Sequence, residues 1–177
     1  PCCIEYSKII QTLLPNHKLP RNFIRQLLDK ASGNPLYIEE MIKCLLENHT
    51  IEKEPKGYRL AIDVKDIEIP ETIQEIVLSR IDRLKDFSKK TIQAASVIGK
   101  EFSLKLLLLK DVPEQQFEKC IKELKKLELV SEKTLLPEIK YIFKNIVTKD
   151  VIYNSLLLKR RTELHRKIGE AIEEIYR

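Results

Sequence analysis

The stretch Ala31-Ser32-Gly33-Asn34-Pro35-Leu36-Tyr37-Ile38-Glu39-Glu40 places the tightest local constraint on this chain. Apolar residues recur at helical spacing on both sides of it. Phe23, Ile24, Leu27, Leu28 and Ala31 precede it, and Ile38, Met41, Ile42 and Leu45 follow. Between them the pattern stops and restarts. Gly33 can adopt the left-handed conformation that ends a helix. Asn34 suits an N-cap, because its side-chain oxygen can accept from a free N–H of the next turn. Pro35 suits the first helical position, where a missing N–H is harmless. The spacing therefore predicts two helices joined by a rigid corner.

Composition agrees with a helical chain. The 177 residues include only 4 glycines, and Leu, Ile, Lys and Glu dominate. That length suits one ordinary domain or two small ones. The formal net charge of +5 permits an acidic partner without demanding one, since basic and acidic residues are mixed. Cys2, Cys3, Cys44 and Cys120 show no metal-ligand spacing. Cys44 and Cys120 fall in apolar helical rows and read as small core residues. Free thiols without a disulfide framework, and no apolar run for a membrane span or signal peptide, give a cytoplasmic expectation. The chain begins at Pro1 and ends within a helical pattern, so it reads as a piece of a longer protein.

The remaining elements follow in order. Residues 1–14 read as a helix, the next runs from about Pro20 to Gly33, and the third from Pro35 to about Asn48. Residues 51–62 suit a β-hairpin around Pro55-Lys56-Gly57, with a plain loop as the alternative. A helix opens at Pro70, with Ile73, Ile76, Val77, Ile81 and Leu84 on one face and Arg80, Asp82 and Arg83 on the other. Phe87–Ile98 forms the next helix, with Phe87, Thr91, Ala94, Ala95 and Ile98 as its buried stripe and Gly99 as its stop. Glu101-Phe102-Ser103 is extended, and Leu104–Leu109 is a short helix. A longer helix begins at Pro113. Strands 129–133 and 139–143 follow, with Pro137 at the turn between them. This order is that of a winged helix. Two more helices follow, the second turning Leu164, Ile168, Ala171, Ile172 and Ile175 inward.

Gly33-Asn34-Pro35, followed by an apolar residue and Glu39-Glu40, resembles the G-x-P corner of the STAND group of signalling ATPases. Three further stretches fall in the order seen in the AAA+-type module beside class III adenylate/guanylate cyclase, protein kinase and LuxR-type regulator domains. They are Ile69–Ile76 running into Ser79–Leu84, Ala94–Phe102, and Phe143–Val147 with Asp150–Leu156. Leu164-His165-Arg166 continues the pattern. The resemblance implies a lid whose proline ring packs on the adenine of a bound nucleotide. It implies a winged helix behind the lid, and tetratricopeptide-like repeats beyond the last helix. No G-x-x-x-x-G-K-[ST] loop is present, and glycines at 33, 57, 99 and 169 leave no room for one. The nucleotide-binding core is thus expected on the N-terminal side, outside this chain.

The expected architecture is mainly α. A helical lid bundle spans 1–50, a hairpin and linker 51–69, a winged-helix domain with a preceding helix 70–144, and trailing helices 145–177. Expected nucleotide contacts are Gly33, Pro35, Arg80 and Asn145, with ATP or ADP bound by the parent protein and not tightly by this chain. Arg80 and Arg83 offer guanidinium forks for phosphates, with surface pairing to Glu75 or Asp82 as the alternative. Asn145 stands where the resembling family carries a histidine near the phosphates. It can donate but cannot titrate, and helix capping is its alternative role. No catalytic or metal-ligating set is expected, and Glu39 and Glu40 are expected on a solvated face. Other readings are a winged-helix DNA-binding module or a protein-docking scaffold. Lys119, Lys122, Lys125 and Lys126 would face DNA, but Glu114, Glu118, Glu123 and Glu128 interleave with them. Neither DNA nor a membrane is an expected partner.

Overall fold

A computed structural model describes residues 2–107, 114–135 and 138–176. The protein is mainly helical, with a small β-hairpin and a second, three-stranded antiparallel sheet. It divides into two compact units, Pro1–Arg80 and Ile81–Arg177. The division falls later than the 69/70 boundary expected from sequence, because the first turns of the Pro70 helix pack within the first unit. No helix among the described residues is long and apolar enough to cross a membrane.

The first unit holds helices α1 (Cys2–Leu13), α2 (Arg21–Ala31) and α3 (Pro35–Glu47), then strands β1 (Ile51–Glu54) and β2 (Gly57–Leu60). A short 3-10 turn, Val64–Asp66, follows, and helix α4 (Ile73–Asp82) carries the chain across the division. The core is the apolar stripe read from the sequence: Ile10, Leu14, Phe23, Leu27, Ile38, Met41, Ile42, Leu45 and Ile76 are all buried. The hairpin forms, pairing Ile51 with Leu60 and Glu54 with Gly57. Its strand β2 is tied back to the turn after α1, where the Lys18 N–H donates to the Tyr58 carbonyl at 2.7 Å.

The second unit contains α5 (Asp86–Ile98), β3 (Glu101–Ser103), α6 (Leu104–Leu107), α7 (Glu114–Lys126), β4 (Val130–Leu135), β5 (Glu138–Phe143), α8 (Ile146–Ser155) and α9 (Leu158–Tyr176). The strand order β3-β5-β4, with a β4–β5 wing, is that of a winged helix. Phe102 is stacked on Tyr141 and edge-on to Phe143, so the sheet is pinned through its inner face. The expected ends of the short helix at Leu109 and of the wing turn at Pro137, and the start at Pro113, lie outside the described residues.

Two expected faces and one expected helix start change. The buried stripe of α5 runs through Ser88, Thr91, Ile92, Ala95, Ser96 and Val97, with Phe87, Ala94 and Ile98 only half-buried. Helix α4 starts at Ile73 rather than Pro70, because Thr72 caps it: Thr72 Oγ1 accepts from the Glu75 N–H at 3.2 Å. On α9, Leu164 is buried as expected, but Ile172 and Ile175 are exposed at 40% and 38%.

At Gly57 in the first unit a side chain has nowhere to go. Its φ is +146°, and a Cβ built there would lie 1.9 Å from the Asn16 carbonyl oxygen. Gly57→Ala should therefore destabilise the first unit by about 2 kcal/mol or more, through clash and backbone strain together. Urea unfolding followed by circular dichroism measures this; an unchanged midpoint would refute the close approach.

Candidate functional site

The corner forms, with one shift of role. Ser32, not Gly33, is the left-handed C-cap of α2, with φ 44° and ψ 38°. Its hydroxyl donates to the Asp29 carbonyl at 3.2 Å, which offsets part of the cost of a left-handed non-glycine residue. Gly33 follows at φ +85°, so two successive residues turn through positive φ. The Asn34 N–H then donates to the Ala31 carbonyl at 2.8 Å, closing the α2 end. Asn34 Oδ1 accepts from the Leu36 N–H at 3.1 Å, and Pro35 takes the first helical position of α3. The Pro35 ring is exposed.

The approach to α4 is fastened to this corner. The Tyr37 hydroxyl donates to the Pro70 carbonyl. Lys30 Nζ donates to the Ile69 carbonyl at 3.0 Å and pairs with Glu71. Glu75 reaches back to accept from the Glu71 N–H at 2.9 Å. Residues 69–71 are thus held by the last turn of α2 and the first turn of α3. Burial pushes the Tyr37 phenol up to about 12, with the Glu71 and Glu75 charges adding to the shift.

Arg80 is not a surface or phosphate-facing arginine. It is 2% exposed and lies among carboxylates of α3. Its Nε donates to both Glu47 oxygens at 3.1 and 3.0 Å, its Nη2 donates to Glu47 Oε1 at 2.6 Å, and its Nη1 donates to Glu40. Glu40, expected on a solvated face with Glu39, is 4% exposed and also accepts from Lys43 Nζ at 3.4 Å. Burial alone would lower the Arg80 pKa. The Glu47 hydrogen bonds and the Glu40 and Glu47 charges outweigh it, and the net shift is upward. The phosphate role expected for Arg80 is therefore corrected: its fork is committed inside the first unit. Its neighbour Ser79 lies 3.6 Å from Cys44 Sγ, so the thiol is a core group as read from sequence.

Asn145 lies in the second unit and caps α8. Its Oδ1 accepts from the Val147 N–H at 2.8 Å. The capping role is the one realised in this structure. On α7, Lys125 pairs with Glu132 at 2.7 Å, while Glu118, Lys119, Lys122 and Lys126 share the exposed surface. That mixture gives no clean basic face for a duplex. No group of three or more potential metal ligands gathers among the described residues.

Residues 4–57 match a family described as a domain of unknown function, DUF8739. The match takes in the corner and runs from α1 to the start of β2. The chain is also 26% identical over 176 residues to an uncharacterized protein, R02095, of Rhizobium meliloti (strain 1021). That likeness covers 96% of this chain but 16% of the relative's length.

Two measurements test the site. Arg80→Met leaves Glu40 buried without its main counter-charge and should cost about 3–5 kcal/mol in urea unfolding. Adding Glu40→Leu and Glu47→Gln should recover most of that loss, since all three charges then leave together; no recovery would disprove the pairing. For Tyr37, the unfolded chain releases its phenolic proton near pH 10 and the folded chain near 12. Stability from this group is complete below pH 10 and falls as pH rises between the two values. Absorbance titration of the folded protein should show a component near pH 12 that Tyr37→Phe abolishes.

Proposed function

We propose that the chain is the lid and winged-helix part of a nucleotide-dependent molecular switch of the STAND type, acting in the cytoplasm within a longer protein. The observation that carries this reading is the exposed Pro35, held by a corner tied through Ser32 to Asp29, Asn34 to Ala31 and Leu36, and Tyr37 to Pro70. A flat, preformed apolar surface of this kind suits stacking on a nucleobase. It loses little entropy on binding, because the corner is rigid beforehand. Gly33 keeps the approach to that ring free of a side chain.

In this reading the lid closes on adenine through Pro35, with phosphates held by a nucleotide-binding core elsewhere in the parent. The segment 69–71 and helix α4 tie the corner to the chain that leads into the winged helix, which relays nucleotide state as a rigid body. Asn145 has only its amide N–H group left for a phosphate, after capping α8. The chain itself performs no catalysis; the parent is an ATPase or is fused to a cyclase or kinase. The match of this chain to 16% of a longer relative is compatible with such a modular parent.

The test is titration of ADP and ATP into the full-length protein and into the 177-residue chain, followed by calorimetry. The full-length protein should bind an adenine nucleotide and the chain alone should not. Pro35→Ala in the full-length protein should weaken binding about tenfold with the thermal midpoint unchanged. Wild-type affinity in that variant, or no adenine-nucleotide binding by the full-length protein, overturns the reading.

A further inference from the structure

Helix α9 is built against its own dipole. Its first turn carries Lys159, Arg160 and Arg161, and its last turns carry Glu170, Glu173 and Glu174. The first turn has no acidic residue and the last has no basic one. A helix is stabilised by the opposite arrangement, by about 0.3–1 kcal/mol for each favourably placed charge. Pairs within the helix, Arg160–Glu163 at 2.9 Å, Arg166–Glu170 at 2.7 Å and Lys167–Glu163 at 3.3 Å, are exposed and relieve little of this.

Two further features of the same helix are unexplained by the chain's own packing. Gly169 sits mid-helix, where glycine costs about 1 kcal/mol relative to alanine. Yet a Cβ built there would meet nothing within 4 Å among the described residues. Leu158 is 77% exposed and Ile172 40% exposed, on the stripe that also carries Thr162, His165 and Gly169. Beside Leu158, a hollow of about 500 Å³ is lined by Lys159, Thr162, Glu163 and Arg166.

We propose that α9 is an association surface whose occupant is α9 of a second copy of this chain, running antiparallel. Charge complementarity selects that occupant. Turning one copy end for end lays the basic half of each helix on the acidic half of the other, at both ends of the contact. Leu158 and Ile172 lie equally far from His165 along the helix. A twofold axis at His165 therefore sets each Leu158 against the other copy's Ile172. The same axis sets Gly169 opposite Arg161 of the other copy, and a residue without a side chain leaves room there. The contact does not depend on nucleotide binding and uses residues of the second unit alone.

One helix pair is small for a stable interface, so the dissociation constant should lie in the micromolar range, about 1–100 µM. Sedimentation equilibrium of the 177-residue chain across that range should show a monomer–dimer equilibrium. Leu158→Glu and Gly169→Gln should each raise the constant at least about tenfold, with the far-ultraviolet circular dichroism unchanged. The paired variants Lys159→Glu/Arg160→Glu and Glu170→Lys/Glu173→Lys should each be monomeric alone and form a heterodimer when mixed. Restoration on mixing is a result that misfolding could not give. A monomer at every concentration, or a dimer indifferent to Leu158→Glu and Gly169→Gln, overturns the proposal.

Discussion

The Arg80 guanidinium, closed in by Glu47 and Glu40, is the interaction on which the first unit depends. Three of its donor atoms are spent on two carboxylates of one neighbouring helix, and the fork geometry admits little sliding or rotation. A buried ion pair is weak evidence for stability, because desolvating each charge costs several kcal/mol that Coulomb attraction only repays. Its consequence here is positional. Apolar contacts between α3 and α4, such as Ile76 against the core, would tolerate a small shift of register. The charges would not, since any slip leaves a carboxylate buried and unmatched. The sequence of α4 is thereby held to one alignment on α3.

That alignment bears directly on the corner. Once α4 is fixed through Arg80, the residues leading into it can be fastened only where α2 ends and α3 begins. Lys30 pairs with Glu71 there, and both Tyr37 and Lys30 donate to backbone carbonyls. A carbonyl acceptor is present whatever residue occupies the position, so this attachment specifies the path of the chain and not its sequence. The Pro35 ring stays exposed because the groups around it are satisfied by each other. Ser32, Gly33 and Asn34 close the end of α2, Asn34 opens α3, and Tyr37 turns to Pro70.

Most of the fold was legible from residue spacing, because helices with one apolar face announce themselves by period. The corner is legible to within one residue: the sequence points to Gly33 as the left-handed position, whereas Ser32 reaches it first, aided by its bond to Asp29. The buried charges were not legible, because charged residues were assigned to solvent by type. A signal was nonetheless present. Arg80 falls on the same stripe as Ile73, Ile76, Val77 and Leu84, and Glu40 and Glu47 fall on the stripe of Tyr37 and Cys44. One basic position on an apolar stripe and two acidic ones on another are complementary, and only burial of both faces together makes sense of them. The hairpin was legible because Gly57 marks a turn. Its close approach to Asn16 was not, since nothing local in the sequence records a contact between residues so far apart.

Helices α7 and α9 show how charge placement separates structural from interfacial residues. On α7, Lys125 and Lys126 occupy the last turn, where the helix dipole favours them, and Lys125 also pairs with Glu132 of the adjoining strand. The charges of its last turn are accounted for by the helix and the sheet beside it. On α9 the same residue types stand at the wrong ends. At its start Arg160 pairs with Glu163 at 2.9 Å, and Arg161 donates to the Leu156 carbonyl at 2.9 Å and the Asn154 carbonyl at 2.7 Å and lies 4.7 Å over the Tyr153 ring. That cluster, with the Tyr153–His165 contact at 3.2 Å, fixes the bend between α8 and α9. It leaves Lys159 and the terminal glutamates without a part in the bend. A charge order that opposes the helix carrying it, together with a glycine that no neighbour among the described residues requires, is more economically explained by a second helix than by the packing of the first.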